Sequence, residues 1–168
     1  GFHGLHLVQA LAPDHTVTIL NTPSPTAQRN LLHLSQQPLA FRLVWGSVTD
    51  PEIVAKVVED QDVILHLAAF TSVNESFRQP LAALGVNVQG TYRILDTVRR
   101  LGMTRTHVIV ASSCEVYGDA LDHDLTTDQD EAASLNPHSP YAASKVAADR
   151  LAYAYAKTYG LKITIVRP

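Results

Sequence analysis

With 168 residues, 46% of them hydrophobic and 17% charged, the chain has the size and make-up of one globular domain with a real core. A formal net charge of −3 and scattered basic residues leave no electrostatic footprint for nucleic acid or for an anionic membrane surface, so neither is expected as a partner. The single cysteine, Cys114, precludes an internal disulfide, no apolar run approaches the ~20 residues of a membrane span, and a reducing cytoplasm is the expected compartment.

The chain opens with "GFHGLHLVQAL", without an initiating Met, so no signal peptide is legible and the true beginning is expected to lie upstream. Gly1 and Gly4 read as the tail of a glycine-rich turn that runs into a helix over residues 4–12, and such a helix N-terminus receives a pyrophosphate. In the full fingerprint a strand and one more glycine come first, and an acidic residue that binds the ribose follows ~20 residues later at the end of the second strand. That position falls at Asn21, a neutral residue that hydrogen-bonds hydroxyls and does not repel a 2′-phosphate.

Short β-branched runs then recur as "TVTIL" (16–20), "FRLVWG" (41–46), "DVILHLA" (62–68), "THVIVAS" (106–112) and "KITIVR" (162–167). Between them lie helical patterns: "DPEIVAKVVE" with Asp50 as N-cap and Pro51 in the first turn, roughly 80–101, and 139–159. Strand alternating with helix predicts an α/β fold, a doubly wound parallel sheet of the Rossmann-like kind, whose first strand is missing from this chain. In the order 3-2-1-4-5-6 that strand is central, and its two neighbours are expected to carry open ladder edges. The Pro-rich "NTPSPT" (21–26) and the acidic "DHDLTTDQDEAAS" (122–134) read as loops, the second long enough for a working role.

Near the end stands "SPYAASKVAADR". Ser139 and Pro140 open a helix, and Tyr141 and Lys145, four apart, share one of its faces. A phenol loses its proton near pH ~10, and a nearby cation favours the phenolate, so the pair makes a general base for work near neutrality. In isolation Y-x-x-x-K is more often an amphipathic helix with a half-buried Tyr and a surface Lys. The rest of the chain decides.

The stretches "GFHGLHL", "VILHLAA", "VNVQGT" and "ASSCEVYG" followed by "SPYAASK" resemble, in order and over essentially the whole chain, the extended short-chain dehydrogenase/reductases, and among these the NAD-dependent nucleotide-sugar epimerases and dehydratases. The resemblance implies that Tyr141 is the catalytic acid/base, that Lys145 grips the nicotinamide ribose and favours the phenolate, and that Ser113 hydrogen-bonds the reacting sugar hydroxyl. It places Gly1, Phe2, His3 and Gly4 at the pyrophosphate turn, Leu67, Ala68 and Ala69 at the strand end beside the cofactor, Asn87 near the nicotinamide half, and Ser47 and Val48 around adenine. Asn21 and Ser47 stand where the family usually carries Asp, which leaves NADP open beside NAD. NAD is the expectation, because a 2′-phosphate calls for an Arg close to the second strand end and the nearest, Arg29, lies past the turn.

Glu115 bears on the reaction type. Members that only epimerise commonly have a small or uncharged residue there, whereas sugar 4,6-dehydratases and a related decarboxylase resemble "SSCE". A carboxylate beside a transient 4-keto group removes the acidified C5 proton, while the bland reading is a solvated loop Glu. Cys114 stands where some dehydratases carry Asp and others Ser, leaving the donor to the departing hydroxyl unassigned; as a side chain it reads as a small residue lining the pocket. The resemblance implies NAD-dependent nucleotide-sugar 4,6-dehydration through transient C4 oxidation, with 4-epimerisation as the alternative. A non-catalytic dinucleotide-sensing module is the rival from another class, and the complete Ser113, Tyr141 and Lys145 set argues against it.

Residues 1–168 are then the dinucleotide-binding domain, with a C-terminal substrate domain expected beyond "VRP". A homodimer through the helices near 80–101 and 139–159 is also implied, with side chains such as Leu151 buried by the partner. His3, His6 and His66 have no Cys or carboxylate cluster at ligand spacing, so no metal is expected; His66 reads as a buried strand residue, and Tyr153, Tyr155 and Tyr159 as packing.

Overall fold

A computed structural model describes residues 1–118 and 131–168. Residues 122–130 of the acidic stretch expected as a working loop lie outside the described residues. Five short strands alternate with helices: β1 Val17–Asn21, β2 Phe41–Trp45, β3 Val63–His66, β4 His107–Ala111 and β5 Lys162–Val166. The helices are α1 Phe2–Leu11, α2 Pro25–Ser35, α3 Pro51–Val58, α4 Val73–Arg78, α5 Pro80–Leu84, α6 Gly90–Arg100 and α7 Pro140–Tyr159. All strand pairs are parallel, β1 with β2 and, in a second ladder, β3 with β4 with β5. The sheet expected without its central strand is accordingly two parallel sheets, and no strand among the described residues pairs with both β1 and β3. Each of those two strands has one neighbour, as the open-edge expectation required.

Side-chain alternation along β1 shows why helices cover both faces. Val17 and Ile19 pack with Val8, Ala12 and Leu34 of α1 and α2, whereas Leu20 packs against the larger cluster. That cluster joins Val54 and Val58 of α3, Ile94, Leu95 and Val98 of α6, Val108 and Val110 of β4, and Ala152 and Tyr155 of α7.

Three helices start in the same way, with an oxygen-bearing cap followed by proline. Ser24, Asp50 and Ser139 accept first-turn N–H bonds from Ala27, from Glu52 and Ile53, and from Ala142, and Pro25, Pro51 and Pro140 sit where no N–H is needed. Ser24–Pro25 therefore opens a helix, and the stretch 21–26 expected as a loop is strand end, a three-residue connection and helix start. The predicted helix over 80–101 is broken into α5, one π-helical turn at Gly85–Gln89, and α6. Gly90 lets α6 approach the β2–α3 connection, since a Cβ there would lie 2.6 Å from Val48 Cγ2.

After β4 the chain makes a short 3₁₀ turn at Cys114–Tyr117 and leaves it at Gly118, with φ 86° and ψ −165°. Only glycine occupies that region without strain, and an added Cβ would fall 2.2 Å from the Asn136 carbonyl oxygen. Gly118→Ala is expected to lower the unfolding free energy by at least about 2 kcal/mol, read as a Tm lower by roughly 4–8 °C. A thermal melt within 1 °C of wild type, a margin of roughly 0.5 kcal/mol at most, would overturn that account of the turn.

Candidate active site

Helix α7 turns Tyr141, Ser144, Lys145, Ala148, Asp149, Ala152 and Tyr155 inward, a run at three- and four-residue spacing that lies on one helical face. Tyr141, Lys145 and Asp149 are successive i, i+4 neighbours on it. The half-buried Tyr with a surface Lys is thereby excluded: Lys145 is 6% exposed and Tyr141 9%. The Lys145 ammonium donates to the Ala111 carbonyl at 2.5 Å, which ties α7 to the last residue of β4. Burial lowers the Lys145 pKa to about 8, opposed by the Asp149 carboxylate one turn further on.

Two residues beyond Ala111 stands Ser113, buried, whose hydroxyl caps the 3₁₀ turn by accepting from Glu115 N at 3.3 Å. Cys114 and Glu115, the next two, are exposed. The strand end is pinned to β5 and to the residues just beyond β5, Ser112 N donating to Val166 O at 2.7 Å and Cys114 N to Pro168 O at 2.8 Å. Ser113 and Lys145 are thus brought together at the end of β4, with Tyr141 one turn before Lys145 on the same face.

Asp149 is fully buried and accepts from Arg167 and Arg150, the Arg167 Nε–Oδ2 distance being 2.8 Å. Burial pushes its carboxyl pKa upward, but the hydrogen bonds from Arg167 and Arg150 outweigh that and hold it below the ordinary value. Arg167 also donates to the Tyr117 hydroxyl at 2.6 Å, so the pair reaches the 3₁₀ turn that carries Glu115.

A second polar chain runs under the site. Asn87, in the π-turn, accepts from Phe70 N at 2.8 Å and donates to Phe70 O at 3.1 Å and to Ser144 Oγ at 2.8 Å. Its own carbonyl accepts the Thr91 hydroxyl proton at 2.6 Å. Thr91 has no second proton, so at the 3.0 Å contact it accepts, and His66 carries its hydrogen on Nε2. His66, at the end of β3, is buried, and desolvation, followed by repulsion from Lys145, lowers its pKa to about 4.

The residues assigned to a cofactor lie along three segment ends. Gly1 is the N-cap of α1 and offers no side-chain cap, and a Cβ on Gly4 would meet only Leu67 Cδ1, at 3.9 Å. The first turn of α1 therefore adjoins the end of β3, where Leu67, Ala68 and Ala69 follow His66. Phe2 is exposed and packs edge-on against His3 and His6. Asn21 ends β1, its carbonyl accepting from Gly46 N at 3.0 Å. Ser47 bonds Thr49 through its hydroxyl at 2.8 Å, and Val48 is buried in the core cluster. Asn87 is buried with its amide engaged, which makes it a brace between strand end and helix.

Sequence reasoning missed Ser76, Thr91, Ser144, Asp149 and Arg167. Ser144 and Asp149 were legible from helical period, being three and eight residues after Tyr141 on the face that carries Lys145; the others come from distant segments. Of the tyrosines expected as packing, Tyr155 is buried, whereas Tyr153 and Tyr159 are half exposed under the cations Arg150 and Arg99.

A glycine-led helix, parallel strands with helices on both faces, and a Tyr–Lys pair buried beside a serine at a strand end define an extended short-chain dehydrogenase/reductase of the epimerase/dehydratase kind. Over residues 1–168 the sequence matches the family described as GDP-mannose 4,6 dehydratase, and the chain belongs to it. It is 38% identical over 168 residues to the dTDP-glucose 4,6-dehydratase of Mycobacterium tuberculosis, covering 98% of this chain and 49% of that protein. To the dTDP-D-glucose 4,6-dehydratase of Mus musculus it is 30% identical, over 99% of this chain and 47% of that one. Among solved structures, a double mutant of the Streptomyces venezuelae dTDP-glucose 4,6-dehydratase with NAD and DAU bound matches with TM-score 0.86 at 33% identity, over 99% of this chain and 52% of that one. The Bacillus cereus UDP-glucuronic acid 4-epimerase, in complex with UDP-glucuronic acid and NAD, also gives 0.86, at 25% identity, over 99% and 53%. The chain spans about half the length of the curated relatives it matches.

The His66 environment predicts a pH dependence of stability. Its folded pKa, about 4, lies below the ordinary histidine value of 6.5, so the unfolded chain takes up the proton first as pH falls. The stabilisation is complete above about pH 6.5 and is lost progressively toward pH 4, amounting to about 2 kcal/mol between pH 7 and pH 5. His66→Gln keeps a donor near Nε2 and has no proton to gain, so urea unfolding of the variant is expected to lose correspondingly less over that range. Equal losses in the two proteins would show that His66 does not carry the effect.

Proposed function

We propose that this chain is the dinucleotide-binding domain of an NAD-dependent nucleotide-sugar 4,6-dehydratase that works by transient oxidation at C4. The observation that carries the reading is the Lys145–Ala111 bond, which holds the charged end of the Tyr–Lys pair at the strand end leading to Ser113 and Glu115. The identity of 38% to a dTDP-glucose 4,6-dehydratase supports it. The cofactor's fit rests on α1, whose first-turn N–H groups meet no side-chain cap and whose Gly4 leaves the approach open. Asn21 at the end of β1 suits ribose hydroxyls, and NAD is favoured over NADP because Arg29 lies in α2 and not at that strand end.

NAD, when bound, would supply the redox chemistry, accepting hydride from sugar C4 and giving it back to C6. Tyr141 Oη accepts the C4 hydroxyl proton as the carbonyl forms, and Ser113 Oγ donates to that oxygen. Lys145 supplies positive charge beside the phenolate and hydrogen-bonds the ribose. The C4 carbonyl acidifies the proton at C5; exposed Glu115 would take that proton as hydroxide leaves C6, the carboxyl or solvent would protonate the hydroxide to water, and a proton from solvent would return to C5 once C6 is reduced. The second reading, 4-epimerisation, is favoured by the epimerase match at the same TM-score; on it the 4-keto sugar turns over and is reduced at C4.

Substrate contacts are proposed to come largely from outside residues 1–168. No helix among the described residues is long and apolar enough to cross a membrane, and a reducing cytoplasm is the compartment proposed for a chain whose one cysteine is free. We also propose a homodimer through the α5–α6 and α7 surfaces, where Leu81 (80% exposed), Tyr92 and Tyr153 stand out, and where Leu151, expected to be buried by a partner, is partly buried against the chain's own core. Light scattering of the full-length protein at micromolar concentration is expected to give the dimer mass, and a monomer mass would remove that interface.

Tyr141→Phe is expected to cut turnover by roughly 10²–10⁴-fold with NAD binding unchanged, because only the ionisable oxygen is lost. In deuterated water the enzyme with NAD and dTDP-glucose is expected to place deuterium at C5 of a 4-keto-6-deoxy product. Glu115→Gln is expected to stop elimination while bound NAD is still reduced in a single turnover. An inverted C4 hydroxyl without solvent deuterium would select the epimerase reading, and a Tyr141→Phe variant at wild-type rate would remove both.

A further inference from the structure

We infer that Ser76, on α4, is a positioning residue for the base, its hydroxyl fixing where α7 begins by taking the backbone N–H of Tyr141; the inference rests on the proposed role of Tyr141. The first N–H groups of a helix have no partner within it. In α7, Pro140 has none to place, Ser139 Oγ takes that of Ala142 at 3.0 Å, and Ala143 N reaches Ser139 O at 2.8 Å. The N–H of Tyr141 donates instead to Ser76 Oγ at 3.1 Å, 65 residues away in sequence. Ser76 has one proton and gives it to Val73 O at 2.6 Å, so at Tyr141 it can only accept, and the direction of both bonds is fixed.

The way α4 docks shows what this bond does. Of the helix's six residues only Ser76 is buried, with no accessible surface, while its neighbour Phe77 is 60% exposed. In a short helix that buries its hydroxyl and leaves its phenylalanine outside, the hydrogen bond supplies a direction that the small apolar contact does not. The other side of the Tyr141 residue is treated alike: its carbonyl accepts from Ser144 Oγ at 2.6 Å, and Ser144 accepts from Asn87, which clamps Phe70. Both peptide groups of Tyr141 are therefore tied, directly or through one side chain, to elements outside α7. A cap within α7, such as Ser139, moves with the helix, whereas Ser76 sets the helix against α4.

The test uses the full-length protein, NAD and dTDP-glucose, at a temperature well below the Tm of every variant, so that lost stability alone leaves kcat unmoved. Ser76→Ala is expected to lower kcat by roughly 10-fold with KM within about twofold, as a small displacement of the base does. Independently of turnover, amide hydrogen exchange at Tyr141 is expected to quicken by about 10-fold. Ser76→Thr, which keeps the oxygen, is expected to restore both. Should Ser76→Ala not fold, Ser76→Cys, whose sulfur is a weak acceptor, takes its place with the same expectations. Wild-type kcat in the Ala or Cys variant, with Tyr141→Phe inactive, would overturn the role of Ser76 and leave the proposed function standing. A Tyr141→Phe enzyme at full rate would remove the proposed function, and the exchange measurement would still report whether Ser76 holds the Tyr141 amide.

Discussion

Tyr141, Ser144, Lys145 and Asp149 lie on the inward face of α7, and a buried polar group left without a partner costs about 1–3 kcal/mol, more where it is charged. Each partner comes with the element that carries it. Lys145 needs Ala111 and so fixes α7 against β4; Asp149 needs Arg167 and so fixes it against the end of β5; Ser144 needs Asn87 and so reaches the π-turn. The apolar cluster of Val108, Val110, Leu95 and Ala152 supplies the larger share of attraction, but it is non-directional. Hydrogen bonds to three separate segments settle the register in which that core closes.

The π-turn meets the same demand from the other side. One extra residue in a turn rotates the following helix, so that Asn87 points inward while Ile94, Leu95 and Val98 still face the core. Asn87 has two N–H donors and one acceptor oxygen that face Phe70 and Ser144, and all are used, which assigns the orientation of its amide. Its backbone carbonyl continues to Thr91 and from there to His66. The end of β3, the segment that follows it and the start of α7 are held by one side chain and one peptide group, and His66 stays neutral within that network, beside the ammonium of Lys145.

Much of this was legible in the sequence wherever the signal is local. The strand runs found their places within one or two residues because β-branched patches of that length have few alternatives, and Asp50–Pro51 and Ser139–Pro140 marked helix starts by cap chemistry. The same Ser–Pro signal at Ser24–Pro25 was present and was outweighed by the two prolines of its surroundings. The π-turn was not legible, since its one-residue offset appears only when Asn87 finds Phe70 and Ser144, 17 and 57 residues away. Ser76 was invisible for the same reason: a serine in "NESFR" carries no sign that its hydroxyl serves Tyr141.

The candidate site divides by exposure in a way that matches the two stages of the proposed reaction. Ser113, Tyr141 and Lys145, to which the oxidation is assigned, are buried and bound into the network around α7. Glu115, to which removal of the C5 proton is assigned in the proposed reaction, and its neighbour Cys114 are exposed on a single 3₁₀ turn. Within that turn the backbone is fixed by Ser113 Oγ, by Pro168 O and by the glycine exit at Gly118, none of which involves the Glu115 carboxylate or the Cys114 thiol. Substitution at those two positions is therefore expected to have little effect on packing, since surface changes are usually within about 0.5 kcal/mol. A change at Asp149 would take from the Arg167 guanidinium the carboxylate it is paired with, and one at Lys145 would leave the Ala111 carbonyl without its donor. On the proposed reading, a family that shares its first step and differs in the second needs this division: the common step fixed by burial, the variable one placed where replacement is nearly free of structural consequence.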